Sequence, residues 1–244
     1  MPAPLPPAAL RTVIVSLLLS ASALGDEEEP GDWETEAQVE LGASYNTGNS
    51  EDENIRVRSR FDAERGVWGY RLNFDGFRSS TRDELSAERF YAYGTTTHNY
   101  DEDNFSRVRL AHEHDRFSGF ERQTDVSVSY GQIWLRSRDD MEIDYTVGVG
   151  ARNSKSSDDD INEAIIRLSS LYTWDITDNS RFSQEISTDA GDSVVVSRSE
   201  TGVESDILNN LSMKFTIRLR HQNNVPSDRK RLDTETALTL LFRF

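Results

Sequence analysis

The sequence predicts an all-β protein: a transmembrane antiparallel up-and-down β-barrel of about twelve strands, with N- and C-termini both periplasmic. Three observations predict it. From Trp33 to Phe244 the chain divides into about twelve stretches of alternating apolar and polar residues, separated by turn residues. All four tryptophans lie at one end of that up-and-down pattern: Trp33 and Trp68 start strands one and three, and Trp134 and Trp174 end strands six and eight. Indole collects where lipid tails meet water, because its ring favours an apolar neighbour and its N–H a wet one. The chain then stops on Phe244, with Phe242, Leu240 and Leu238 continuing one face. That ending looks like the terminal signal by which outer-membrane barrels are recognised for insertion.

Residues 1–25 read as a secretory signal peptide. Arg11 precedes an apolar run, Thr12 to Leu19, and a small-residue stretch ending at Gly25. The run is too short to cross a bilayer, which takes about 20 residues. Residues 26–32 form an acidic leader, and 33–244 the barrel. The chain carries 27 basic and 43 acidic side chains, a net charge of −16, and no cysteine. The acidic balance argues against nucleic acid as a partner. An exported chain without cysteine must be held by something other than disulfides.

Strand one sets Trp33, Ala37, Val39 and Leu41 against Glu34, Glu36, Gln38 and Glu40. Turn residues Asn46 to Ser50 follow, and strand two alternates Ile55, Val57 and Phe61 with Arg56, Arg58 and Arg60. Strands three to six cover approximately 67–79, 85–99, 104–116 and 121–136. Strand seven opposes Ile143, Val147 and Val149 to Asp144, Thr146 and Gly148, and strand eight opposes Ile166 and Leu168 to Glu163 and Arg167. Strands nine and ten cover 180–190 and 194–207; like strand four, they leave their faces undecided. Strand eleven sets Met213, Phe215 and Ile217 against Lys214, Arg218 and Arg220, and strand twelve sets Leu238, Leu240 and Phe242 against Asp233, Glu235 and Arg243. Alternation alone does not say which face is inside, so a soluble β-sandwich or barrel, turned apolar side inward, stays open.

In a membrane barrel the charged face must be the lumen, because Arg on the lipid side costs about 2–4 kcal/mol at the bilayer centre. Counting outward from a first turn near Gly48 places Glu40 beside Arg56 or Arg58, and Glu36 near Arg60. Counting from the last turn places Arg218 by Glu235 and Arg220 by Asp233. Closure brings Arg243 to Glu34 or Glu36. These eleven residues form the expected lumen charge ladder; Trp33, Trp68, Trp134, Trp174, Phe242 and Phe244 form the expected interface girdle.

No catalytic, cofactor or metal residues are expected. His112 and His114 share one strand face about 7 Å apart, enough for two metal ligands, but no second pair completes a site. Asp158-Asp159-Asp160 lacks the spaced ligands of a calcium loop and reads as a solvated turn. A lipase-type enzyme needs a serine beside a histidine with an orienting third group; no Gly-x-Ser-x-Gly elbow is present.

Several segments, in this order and spacing, resemble the YdiY-like family, often labelled salt-induced outer-membrane proteins, a domain of unknown function. They are Gly42 to Ser50, Glu88-Arg89-Phe90, Asp115 to Phe120, Trp174 to Asn179, Arg198 to Thr201, and Val225-Pro226 followed by Asp233 to Thr236. The resemblance implies a barrel in the outer membrane of a Gram-negative bacterium and brings no catalytic residues. The expected partners are outer-membrane lipids and lipopolysaccharide, with the barrel-assembly machinery reading Phe244. The expected role is structural or stress-related, with a narrow charge-filled lumen. A passive channel for small solutes or ions and a secreted soluble binding protein are the alternatives. Deleting Phe244 is predicted to lower the yield of inserted barrel more than it lowers the stability of barrel already folded. Equal outer-membrane yield with and without the residue would contradict that.

Overall fold

A computed structural model describes residues 32–47, 53–81, 84–115, 120–135, 138–156, 160–225 and 230–244. The signal peptide and nearly all of the acidic leader lie outside them, as do Asp158 and Asp159. The strands are β1 (Glu34–Thr47), β2 (Glu53–Arg65), β3 (Trp68–Thr81), β4 (Glu84–Asn99), β5 (Asn104–Asp115) and β6 (Arg122–Trp134). They continue with β7 (Met141–Lys155), β8 (Asp160–Thr177), β9 (Ser180–Gly191), β10 (Val195–Leu208), β11 (Leu211–Gln222) and β12 (Leu232–Arg243). Each pairs antiparallel with its sequence neighbours, and β12 returns to β1 to close the barrel. Closure leaves no sheet edge, which lipid could not hydrogen-bond.

The seam is tight. Ala37 and Phe244 exchange backbone hydrogen bonds of 3.2 and 2.9 Å, and Leu41 lies opposite Leu240. Following hydrogen-bonded partners from Glu40 leads through Arg58, Asp75, Tyr91, Glu113, Gln123 and Ser154 to Ile161. That path climbs from the lower half of β1 to the far end of β8, so the strands must tilt against the barrel axis. The β2–β3 connection is two residues long. Its first, Gly66, has φ 56°, a conformation glycine adopts at no steric cost.

The two faces are inverted relative to a soluble protein. Ile55, Leu72, Leu110, Val149 and Leu238 point outward and are exposed, whereas Glu40, Arg56, Asp75, Arg152 and Glu235 are buried inside. A soluble barrel needs the reverse, since it would bury the apolar face. The strands whose faces were undecided now resolve. On β4, Arg89 and Tyr91 point inward and Phe90 outward; on β9, Asp189 points inward and Ile186 outward. On β10 the outward row includes Ser197, Ser199 and Thr201, which bond to Thr188 and Gln184 of β9. Both faces of β10 are therefore polar, and alternation cannot mark its sides.

One register expectation is corrected. Glu40 does face Arg58, but Glu36 lies opposite Asp62, and Arg60 lies opposite Gln38. The β1–β2 pairs are centred one residue beyond Gly48, and a one-residue shift of the turn moves every partner by two.

Inside the barrel, the buried Phe105 ring of β5 lies over Gly131 of β6, where any Cβ would collide with it. This pairing of ring and glycine locks β5 to β6 near the end that carries Phe244. Gly131→Leu is predicted to destabilise the barrel by about 1–3 kcal/mol through overpacking, read as a lower denaturant midpoint of the protein folded into lipid vesicles. An unchanged midpoint would remove Phe105 from this role.

Candidate functional site: the charged lumen

Two lattices of ion pairs occupy the lumen. The first is built around Glu200 of β10 and Glu235 of β12. Arg58 of β2 donates both terminal nitrogens to Glu200 at 3.0 Å and approaches Asp75 at 3.2 Å and Glu40 at 3.9 Å. Arg218 of β11 reaches Glu200 at 2.7 Å and Glu235 at 2.9 Å. Arg56, 3% exposed, bonds both Asp75 and Glu235, and Arg89 reaches Glu235 at 3.3 Å. Lys214 lies 3.4 Å from Glu40 and 3.5 Å from Glu200.

The second lattice fills the far half of the β5–β11 side. Arg152, fully buried, bonds Asp125 at 2.7 Å and lies 3.5 Å from Asp189. Asp189 also accepts from Arg167 at 2.5 Å and from Arg198 at 3.0 Å. Arg198 continues to Glu113 of β5 at 3.0 Å, and Arg220 reaches the same carboxylate at 3.4 Å. At this end Phe120, Val194 and Val196 form a buried apolar cluster with Ile161 packed against it.

Several of these contacts join strands that are not neighbours. Between β2 and β10 stand β11, β12 and β1, and between β5 and β10 stand four more strands. Arg58–Glu200 and Arg198–Glu113 therefore bridge the lumen. A cavity of about 1020 Å³ remains beside them, lined from Asn99, Asp139 and Asp175 at the Phe244 end to Glu88, Asp115 and Asp233 near the other.

The ladder residues fall as follows. Glu40 meets Arg58, and Arg218 meets Glu235. Arg220 lies opposite Asp233 in register, yet its ion pair is with Glu113. Arg243 lies 3.8 Å from Glu36 but bonds Glu204 and, at 3.3 Å, Asp206. Arg60 turns to Asp62 of its own strand at 2.8 Å. Glu34 lies opposite Glu64 and is exposed. Trp33, Trp68, Trp134 and Trp174 stand at the end where Phe242 and Phe244 lie. Trp33 packs on Tyr70 at 5.8 Å, Trp68 on His98 at 4.6 Å and Trp134 on Tyr145 at 4.9 Å. His112 and His114 face outward, while Glu113 between them faces the lumen. Asp160 of the aspartate run accepts from Asn153 at 2.7 Å.

Sequence reasoning missed Asp75, Asp189, Arg198 and Glu200, although Glu200 holds three cations. The signal was present as Arg198-x-Glu200, but the polar outward row of β10 masked its period.

A closed barrel of twelve antiparallel strands, apolar outside and charged within, has the outer-membrane β-barrel fold. The solved NanC porin superposes with a TM-score of 0.58 at 9% identity, covering 84% of this chain and 98% of that one. A KdgM porin in complex with disordered oligogalacturonate gives 0.52 at 9% identity, covering 85% and 99%. Likeness at such identity is likeness of fold alone. The chain belongs to the family described as protein of unknown function, DUF481, whose model matches residues 39–244. It is also 23% identical over 176 residues to the uncharacterized protein YdiY of Escherichia coli (strain K12), across 71% of this chain and 67% of that protein.

Glu200 and Glu185 offer a matched test, since they face each other across β9 and β10. Glu185 lines the cavity and makes no ion pair with a described residue. Glu200→Ala leaves three cations short of a partner and is predicted to cost about 3–5 kcal/mol of barrel stability. Glu185→Ala is predicted to change it by less than about 0.5 kcal/mol. Denaturant titration in vesicles reads both, and equal losses would contradict the lattice.

Proposed function

We propose that this protein resides in the outer membrane of a Gram-negative envelope as a structural or stress-related barrel with a narrow, charge-filled lumen. The observation that carries the reading is the set of ion pairs bridging non-adjacent strands, Arg58–Glu200 and Arg198–Glu113. Each holds opposite walls together and takes up cross-section that a diffusion pore would leave open. The cavity that remains is lined throughout its length by charged and polar side chains. The reading is non-enzymatic, in line with the porins whose fold this barrel shares.

The tryptophan end, with Phe242 and Phe244, faces the periplasm in this reading and lies at the lipid–water boundary. The outward apolar band meets lipid, and the opposite end meets lipopolysaccharide. The second reading, a passive channel for small ions, is favoured by the length of the residual cavity.

Single-channel recording on refolded protein at two salt concentrations separates the two. Low or no conductance is expected, rising when Arg58→Ala and Glu200→Ala are combined. A large, stable, weakly selective conductance of the unaltered protein would transfer the assignment to the channel. Orientation has its own test: an epitope inserted within residues 156–161 is expected to be labelled on intact cells, and one at 138–140 is not. The reverse pattern would invert the barrel.

A further inference from the structure

The lumen is lopsided. Long charged side chains of β1–β4 and β10–β12 fill one side, whereas at mid-height the β6–β9 wall presents Ser129, Thr146, Gly148, Ser169 and Ser187. Gly148 and Gly150 are required there, because a Cβ on either would collide with the β6 backbone. The cavity runs along this wall, whose hydroxyls can both donate and accept, with Arg167 opposite Gly148 and Glu185 two residues before Ser187 as its charged members.

At its edge stands Arg109 of β5, only 6% exposed and part of the cavity lining. Of the four arginines buried among the described residues, it is the one that no described carboxylate approaches within ion-pair distance. Its terminal Nη2 donates to the Tyr91 hydroxyl, its guanidinium lies 5.3 Å from the Tyr93 ring centre, and its Nη1 has no hydrogen-bond partner. The cross-strand neighbour Ser127 likewise keeps a buried hydroxyl without a partner. Tyrosine faces attract a cation without neutralising it; Asp125 and Asp189 act on the guanidinium only from beyond ion-pair distance, and a guanidinium without a directly bonded carboxylate is costly within a membrane span.

We propose that Arg109, with the hydroxyl wall of β6–β9, forms a binding subsite for a small oxyanion, either a hydroxylated carboxylate or phosphate. A modest turn of the guanidinium off Tyr91 presents its planar fork to the cavity, where a carboxylate or phosphate accepts two parallel N–H bonds. Ser129, Ser169 and Ser187 then donate to or accept from the remaining oxygens. A neutral polyol has the hydroxyl contacts and lacks the charge, so it is excluded. The inference uses the charged-lumen reading for its setting but does not depend on whether the barrel conducts.

Calorimetric titration of the full barrel in detergent tests it with gluconate, inorganic phosphate and sorbitol as probes. The fold of each preparation is verified first by heat-modifiable gel mobility. Binding of gluconate, phosphate or both is expected, with none for sorbitol, and the stronger anion identifies the source. Arg109→Gln should weaken that binding about tenfold or more, the worth of one charge-assisted hydrogen bond. Arg109→Lys, which keeps the charge and loses the fork, should fall between. Arg181→Gln, at the cavity mouth, should leave binding within about twofold, since Arg181 already pairs with Asp175. Absence of anion binding in correctly folded protein would overturn the subsite, as would undiminished binding by folded Arg109→Gln or Arg109→Lys, or sorbitol binding as tightly as gluconate. None of those results bears on the barrel or its conductance, which the recordings address.

Discussion

The need to pair charges inside a low-dielectric cylinder governs this molecule. Lipid makes arginine costly on the outer face away from the strand ends, so Arg56, Arg58, Arg152, Arg167, Arg198 and Arg218 turn inward, whereas Arg78 and Arg122 near strand ends face out. Once inside they crowd together and repel unless carboxylates are interleaved. Glu200, Glu235, Asp189 and Glu113 do this, each held by at least two cations. Removing water from two charges is expensive, and the attraction repays it only when geometry and further hydrogen bonds are good. Multiple sharing meets that condition, because a carboxylate already fixed by one arginine loses little further freedom on meeting a second.

The same lattice makes up for the absence of disulfides. Backbone pairing around the closed sheet fixes neighbouring strands to one another, yet it does not restrain the cross-section from flattening or widening. Arg58–Glu200 and Arg198–Glu113 tie walls that share no backbone hydrogen bond, and so set the shape of the lumen. Shape in turn limits function. What remains open runs along the wall where glycine and serine replace long side chains, and there Arg109 meets no acid. The ion-pair packing and the space left open in the lumen are thus two consequences of one distribution of side-chain length around the barrel.

The sequence by itself determined the strand count, the inward direction of the β2 arginines, the gathering of four tryptophans with Phe244 at one end, and the Arg218–Glu235 pair. All of these follow from period-two alternation and from counting outward along a hairpin, where a partner's number is set by one turn. The exact β1–β2 register escaped it, because the paired residue numbers are symmetric about a number one higher than that of Gly48, and partners shift by twice that amount. The face of β10 escaped it too, since Ser197, Ser199 and Thr201 interrupt the apolar row on its lipid side. Only the tertiary structure decided that Glu200 meets Arg58, that Glu113 meets Arg198 and Arg220, and that Arg109 meets no carboxylate. Those contacts cross the barrel between strands far apart in sequence. Their geometry depends on diameter and tilt, which come from summing register around all twelve strands and from no local pattern of residues.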